Sequence, residues 1–299
     1  MRRILGNHPY FEGWYFKLQR GEETVAFIPG ISRDGKGEEK AFIQVIAAGE
    51  SYNVDFPLNT FSVSASPFTV RIGENVFSTR GIRCVLPELN CAAAVLFGRQ
   101  TPLRYDAMGP FRFVPGMECR HGVVSLYHPI LDGLLVLGGK RLNMGGGTGY
   151  IETDRGRSFP ENYLWVQSND FPQKACVMVS IASIPFAGTQ FKGCIGLVHT
   201  GGKEYRLATY TGVKIVSDAS WYVHLRQREL DLEILPESRA PQKLFAPDSG
   251  RMKRIIHEDA SCPVRFRFRR GDRILLDHES RNASFEFVRK GQEKFALPC

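Results

Sequence analysis

The residues best suited to chemistry lie in one segment, GYIETDRGRSFPENYLWVQSN, which runs from Gly149 to Asn169. Its first part has the pattern of a short strand, in which side chains two positions apart share a face. We therefore expect Tyr150, Glu152 and Asp154 on one face. Two neighbouring buried carboxyl groups raise each other's pKa, and a carboxyl with a raised pKa can donate a proton near neutral pH. The segment predicts general acid–base chemistry, unless Arg155 or Arg157 neutralises one of the carboxylates.

A second strand pattern follows the proline turn of the same segment. Its alternation groups four aromatic and amide side chains, which are Tyr163, Trp165, Gln167 and Asn169. The alternate positions, Leu164 and Val166, are apolar and suit ordinary packing. The pattern predicts the wall of a ligand cavity.

The N-terminal segment YFEGWYFK places a carboxylate among aromatic residues. Alternation puts Glu12 on the face of Tyr10 and Trp14, where burial would raise its pKa. Two interpretations stay open, a proton donor or a carboxylate that pairs with an arginine of a neighbouring strand.

A third segment, ECRHGVVSLYH, carries two histidines. Strand parity groups His121 with Ser125 and Tyr127 and places His128 on the opposite face. No G-x-S-x-G motif accompanies the serine, so a nucleophilic serine is not expected. Because the histidines fall on opposite faces, no metal site is predicted.

The elements that must position these residues are predicted to be strands. The chain of 299 residues has 30 glycines and 17 prolines that separate short apolar runs, and about eight strands are expected on each side of the run Gly145–Gly147. We predict an all-β protein of two tandem barrel or sandwich domains, residues 1–145 and 146–299. A short helix is expected only near Pro241–Pro247. The glycine run precedes a strand, which is not the setting of a phosphate-binding loop.

Composition narrows the partners and the compartment. The net charge is +8, but the densest basic run, PVRFRFRRGDR, has the pattern of a half-buried strand, so no nucleic-acid partner is expected. The seven cysteines form no CxxC pair, and no signal peptide or long apolar run is recognised. We expect a cytoplasmic protein whose basic surface suits peripheral membrane contact; its oligomeric state stays open.

Five segments together resemble the tocopherol cyclase family. In chain order they are FEGWYFK, GYIETDRGRSFP, YLWVQSNDF, SIASIPF and LATYTG. That family is in turn similar to carotenoid 1,2-hydratases and to lipocalin-like Diels–Alder cyclases. The resemblance implies two calycin-like β domains and a hydrophobic small-molecule partner, either a prenylated aromatic or an isoprenoid. One position departs from the family pattern, because Arg155 stands where a tryptophan is usual.

The implied reaction is cofactor-independent ring closure, started by protonation of a prenyl double bond. Glu12, Glu152 and Asp154 are the candidate acids, and His121 is expected to orient the phenol or accept its proton. Aromatic faces stabilise cationic character by about 0.5–2 kcal/mol each, and amide and hydroxyl groups can hold the substrate. The expected substrate-binding residues are Trp14, Tyr15, Ser125, Tyr127, Tyr150, Tyr163, Trp165, Gln167 and Asn169. Hydration of an isoprenoid, or ligand binding without catalysis, are the alternatives.

Overall fold

A computed structural model describes residues 8–47, 49–186, 189–237 and 241–290. Within this part of the chain the fold is all-β, as predicted, and the pairings of its strands are antiparallel. The strands are β1 Tyr10–Arg20, β2 Glu23–Arg33, β3 Glu39–Ala47, β4 Glu50–Phe56, β5 Phe61–Ala65, β6 Phe68–Ile72, β7 Asn75–Ser78, β8 Gly81–Leu86, β9 Cys91–Phe97, β10 Cys119–Leu137, β11 Lys140–Asn143, β12 Thr148–Gly156, β13 Tyr163–Ser168, β14 Cys176–Phe186, β15 Thr189–Thr200, β16 Lys203–Ala208, β17 Lys214–Ala219, β18 Tyr222–Gln227, β19 Leu230–Pro236, β20 Gln242–Asp248, β21 Arg251–Arg270 and β22 Arg273–Val288. Short 3-10 helices occupy Leu58–Thr60, Pro87–Leu89, Gly109–Phe113 and Thr209–Thr211.

The first sheet has the order β4-β3-β2-β1-β12-β10-β9-β8-β7-β6-β5, and β11 pairs with β10. Alternate side chains of these strands form one apolar core. Trp14 belongs to that core, and its ring stacks on Phe61 at 6.0 Å between centroids. Strand β12, which carries the acidic segment, lies between β1 and β10.

The second sheet has the order β16-β15-β14-β13-β22-β21-β19-β18-β17, and β20 pairs with β21. Its apolar core includes Leu164 and Val166 of β13. In β21, Phe266 and Phe268 are fully buried. The arginines that alternate with them pair with Asp277 or with acids of β19. The basic run is therefore one face of an ordinary sheet strand.

The chain divides into two compact units. The first consists of Met1–Ser158 with Phe245–Ile255, and the second of Phe159–Leu244 with Ile256–Cys299. The first division follows Ser158, whereas the sequence predicted a domain boundary between residues 145 and 146. The boundary lies later because β12 pairs within the first sheet.

The prediction of a short helix near Pro241–Pro247 is wrong. This segment forms strand β20, in which Leu244 and Ala246 are buried while Phe245 is exposed. Burial at every second position is typical of a strand. The segment is too short for a helical repeat to be recognised in its sequence. The described ranges contain no helix with the length and hydropathy of a transmembrane segment.

Candidate functional site

Strand β12 holds the two carboxylates of the candidate site, and its neighbours supply their partners. The register places His121 of β10 opposite Asp154, and it places Tyr15 of β1 opposite Glu152. Residues paired in this way project from the same face of a sheet. Alternation along β12 adds Tyr150 to that face.

Four of these side chains are connected, and we call them the His121 cluster: His121, Tyr150, Glu152 and Asp154. His121 Nδ1 lies 3.1 Å from Asp154 Oδ1, and His121 Nε2 lies 3.7 Å from Glu152 Oε2. The Tyr150 hydroxyl donates a hydrogen bond of 2.6 Å to Glu152 Oε2. The imidazole is therefore placed between two carboxylates, with a hydrogen-bond contact to one and a slightly longer approach to the other.

The two carboxylates determine the charge of the imidazole. Burial opposes protonation of His121, whose side chain is only 10% exposed, but the charges of Asp154 and Glu152 outweigh it and raise the pKa of His121 to about 9. His121 is consequently an imidazolium at neutral pH. Cys119 lies beside it, and its thiol donates to Asp154 Oδ1 at 3.6 Å. Burial raises the pKa of that thiol, so it stays neutral.

Glu12 is separated from the His121 cluster by the sheet itself. Its cross-strand partner on β12 is Arg155, whose Nη1 is 4.0 Å from Glu12 Oε1. Because Arg155 alternates with Asp154, Glu12 faces the side of the apolar core that contains Trp14. The Tyr10 hydroxyl also donates to Glu12, at 3.0 Å. Glu12 thus lies near an arginine of a neighbouring strand, which is the second of its two predicted roles. Trp14 packs in the core.

Two β-bulges alter the expected alternation of β10. They lie between Val123 and Ser125 and between Ser125 and His128 in the pairing with β12, and an inserted residue reverses the parity of the positions beyond it. Ser125 is opposite Ile151, which alternates with Glu152, so the predicted grouping of His121 with Ser125 is not what the structure shows. The second bulge restores the parity, and His128, opposite Gly149, faces away from His121 as predicted. Ser125 Oγ instead lies 3.2 Å from His128 Nδ1 and donates to the backbone carbonyl of Tyr127.

His128 is a structural residue. It is fully buried, its ring lies 4.4 Å from that of Phe97, and burial lowers its pKa to about 3. Its ring also lies directly against Gly149, where an added Cβ would overlap it. The neutral ring is packed where a charge would be costly.

Lys17 is a member of the same sheet face that sequence reasoning missed. It is 1% exposed, and its cross-strand partner is Tyr150 of the His121 cluster. The signal was available, because alternation within YFEGWYFKL sets Tyr15 and Lys17 apart from Trp14 and Phe16. Lys17 therefore lies on the face that carries Glu152 and Asp154.

The second unit holds the remaining predicted residues, Tyr163, Trp165, Gln167 and Asn169, and all four are buried. The Tyr163 hydroxyl donates to Glu286 Oε2 at 2.6 Å, and Gln167 Nε2 donates to Asn169 Oδ1 at 2.8 Å. Glu286 is the register partner of both Trp165 and the fully buried Glu258. Sequence reasoning missed these two glutamates, because they come from strands far along the chain.

The His121 cluster also has the composition of a metal site. One potential ligand atom each from His121, Glu152 and Asp154 lie within 4.8 Å of one another. A histidine and two carboxylates are common ligands of catalytic zinc. The prediction of no metal site rested on the two histidines, which lie on opposite faces. It did not consider that pairing of β10 with β12 brings His121 to the carboxylates of β12.

Comparison with known proteins shows the fold but no family. No family model matches the chain, and no curated protein matches it. A crystal structure of a protein described as AttH from Nitrosomonas europaea is 9% identical, with a TM-score of 0.52 over 94% of this chain and 92% of that one. Kievitone hydratase from Nectria haematococca is 8% identical, with a TM-score of 0.49 over 95% of this chain and 90% of that one. The first likeness shows that a known architecture extends over nearly the whole chain.

Proposed function

We propose that this chain is an acid–base enzyme that adds an O–H group across a carbon–carbon double bond of a prenylated phenol or related isoprenoid. In the tocopherol cyclase-like form of the reaction, the phenol of the substrate supplies the oxygen and a ring closes. The observation that carries the proposal is the position of His121 between Asp154 and Glu152. A buried histidine next to two carboxyl groups can move a proton in either direction.

Substrate binding would activate the cluster by removing water. In water the imidazolium and the carboxylates are stable as ions. In an apolar surrounding, an imidazolium beside a carboxylate costs more free energy than a neutral imidazole beside a carboxylic acid. An apolar substrate therefore favours transfer of the proton from His121 to Asp154 or Glu152. The result is a neutral carboxylic acid beside a neutral imidazole, which is a proton donor beside a proton acceptor.

The reaction then balances without an oxidant or a reductant. The carboxylic acid gives its proton to one carbon of the double bond, and cationic character develops on the other carbon. The phenol oxygen attacks that carbon and loses its own proton to His121, which becomes an imidazolium again. The carboxylate and the imidazolium restore the starting state.

Aromatic side chains on the same face support the charge that develops. Tyr15 is opposite Glu152, and Tyr150 is buried within the cluster. Each aromatic face contributes about 0.5–2 kcal/mol to a nearby cation. Tyr163, Trp165, Gln167 and Asn169 are proposed as substrate-binding residues of the second unit. Trp14 is not included, because it packs in the apolar core of the first unit.

Hydration is the second candidate, and the exposure of Asp154 favours it. The Asp154 side chain is 23% exposed, compared with 7% for Glu152. Water can therefore reach one side of the cluster, where it would take the place of the phenol oxygen. The acid and the base would be the same groups.

Mass spectrometry of the products tests the proposal. The protein is incubated in D₂O with a prenylated hydroquinone and, separately, with an acyclic isoprenoid alkene. Ring closure leaves the mass unchanged except for one carbon-bound deuterium, whereas hydration adds the elements of one water. Binding of either compound without any product or deuterium incorporation would show a ligand-binding protein and overturn the proposal.

A further inference from the structure

One face of the first sheet exposes adjoining apolar side chains. Val85 of β8 is 56% exposed, Leu96 of β9 is 53% exposed, and Leu131 and Leu134 of β10 are 60% and 44% exposed. Ala92 and Ala94, also on β9, are exposed between them. Large exposed apolar groups that adjoin one another mark an interaction surface.

The strand register shows that these residues form one continuous patch. Val85 is opposite Ala92, Ala94 is opposite Leu134, and Leu96 is opposite Asp132. Cross-strand partners on one face are close enough to touch. A bulge between Ile130 and Asp132 turns Leu131 outward beside them.

Arginines flank this patch on both sides. Arg83 is a register partner of both Val76 and Ala94, and Arg71 is the other partner of Val76. Arg141 of β11 is opposite Val136 on the far side. Within the described part of the chain, none of the three guanidinium groups takes part in an ion pair. We call the whole surface the arginine-flanked face: Arg71, Val76, Arg83, Val85, Ala92, Ala94, Leu96, Leu131, Asp132, Leu134, Val136 and Arg141.

The charge of this face selects its partner. It carries three arginines and one acid, Asp132, so it is positive overall. Two copies of the chain placed face to face would bring like charges together. An anionic lipid surface is complementary instead, because apolar side chains enter the headgroup region while arginines at its edges reach the phosphates.

We propose that the arginine-flanked face docks the protein on anionic membranes. The proposal stands on exposure, register and charge, and is independent of the reaction at the His121 cluster. If that reaction is the one proposed above, docking would bring the enzyme to the phase in which apolar isoprenoids dissolve. Each arginine is expected to add roughly fivefold to vesicle affinity.

Sedimentation with lipid vesicles tests the proposal. The full chain is mixed with vesicles of phosphatidylcholine alone or of phosphatidylcholine with phosphatidylglycerol, at low and at high salt. The two test variants are Leu96→Glu with Leu134→Glu, and Arg83→Glu with Arg141→Glu. The control is Val216→Glu with Ile274→Glu, which places the same charges at exposed apolar positions of the second sheet, 45% and 56% exposed. Thermal unfolding of each variant checks that it is folded.

The wild type and the control are expected to bind the anionic vesicles, more weakly at high salt, and to leave the neutral vesicles largely unbound. Both test variants should lose at least tenfold in affinity. Equal binding by the test variants and the wild type would overturn the proposal, as would failure of the wild type to bind. A wild-type dimer in sedimentation velocity that Leu96→Glu with Leu134→Glu converts to a monomer would identify the face as a contact between copies, which also overturns it.

Discussion

His121 and Asp154 are directly opposed on two antiparallel strands, and His121 Nδ1 lies 3.1 Å from Asp154 Oδ1. The contact is fixed by main-chain pairing on both sides and does not depend on a loop. The contact joins the predicted base, His121 of β10, to a predicted acid, Asp154 of β12. Glu152 lies two residues from Asp154 on the same face of β12.

The first prediction compares acids on opposite faces of the sheet. His121→Gln, and the double variant Asp154→Asn with Glu152→Gln, should each lower kcat for the proposed reaction by about 100-fold or more, because the first removes the base and the second removes both candidate acids of this face. Glu12→Gln is the matched control, since it makes the same chemical change on the other face, and it should keep kcat within about threefold of the wild type. The measurement is the initial rate of product formation. Loss of activity in Glu12→Gln alone would move the acid to the opposite face.

The second prediction concerns the free energy of unfolding at alkaline pH. The folded state raises the pKa of His121 from 6.5 to about 9, so between these values the folded protein binds a proton that the unfolded chain has lost. The stability from this histidine is complete below pH 6.5 and falls as the pH rises to about 9. Urea unfolding between pH 6 and pH 9.5 should show this decline, and His121→Gln should make the profile flatter.

The third prediction concerns acidic pH and has the opposite sign. The pKa of His128 falls from 6.5 to about 3 in the folded state, so between these values the unfolded chain takes up the proton first. The contribution of neutral His128 is complete above pH 6.5 and is lost as the pH falls toward 3. His128→Gln should weaken the acid dependence of urea unfolding while leaving the alkaline decline intact. Equal effects of both histidine variants on both sides would contradict these assignments.

The fourth prediction concerns the contact between Gly149 and His128. Because a Cβ on Gly149 would overlap the imidazole ring, Gly149→Ala should lower the free energy of unfolding by about 1–3 kcal/mol. Gly201→Ala gives a glycine control of another kind. It lies in a turn with open space around it but has a positive φ of 57°, so its cost comes from the backbone alone. Combining Gly149→Ala with His128→Ala should recover part of the stability lost in Gly149→Ala, because the imidazole ring that the new Cβ would overlap is no longer present.

The fifth prediction addresses metal binding by the His121 cluster. If the cluster works as an acid and a base, Zn²⁺ should compete with protons for His121 and inhibit product formation, while chelators should leave kcat unchanged. Isothermal titration with Zn²⁺ measures the binding directly. Loss of activity after chelation, restored by the metal, would assign a Lewis-acid role to the same three side chains.

Much of the local structure could be predicted because strands repeat every two residues. The grouping of Tyr150, Glu152 and Asp154 and the alternation of Tyr163 with Leu164 follow directly from that period. The all-β class followed from short apolar runs between glycines and prolines. Even the face occupied by Glu12 follows from its alternation with Gly13 once β1 and β12 are known to pair.

Pairing between distant strands and irregularities within strands were beyond the sequence. A bulge between Val123 and Ser125 changed the parity on which the position of Ser125 depended. The bond between Tyr163 and Glu286 joins residues 123 positions apart, and no local pattern encodes such a partner. Periodicity describes the faces of a strand, but register decides what each face meets.

The central position of β12 also determines how the candidate site can move. Its backbone is hydrogen bonded to β1 on one side and to β10 on the other, and amide protons in such strands exchange with solvent only through large openings of the domain. The amides of Ile151, Glu152 and Thr153 should therefore be among the slowest of the first unit to exchange. Proton transfer would then take place on a rigid support, and any motion that admits a substrate must come from segments outside this strand.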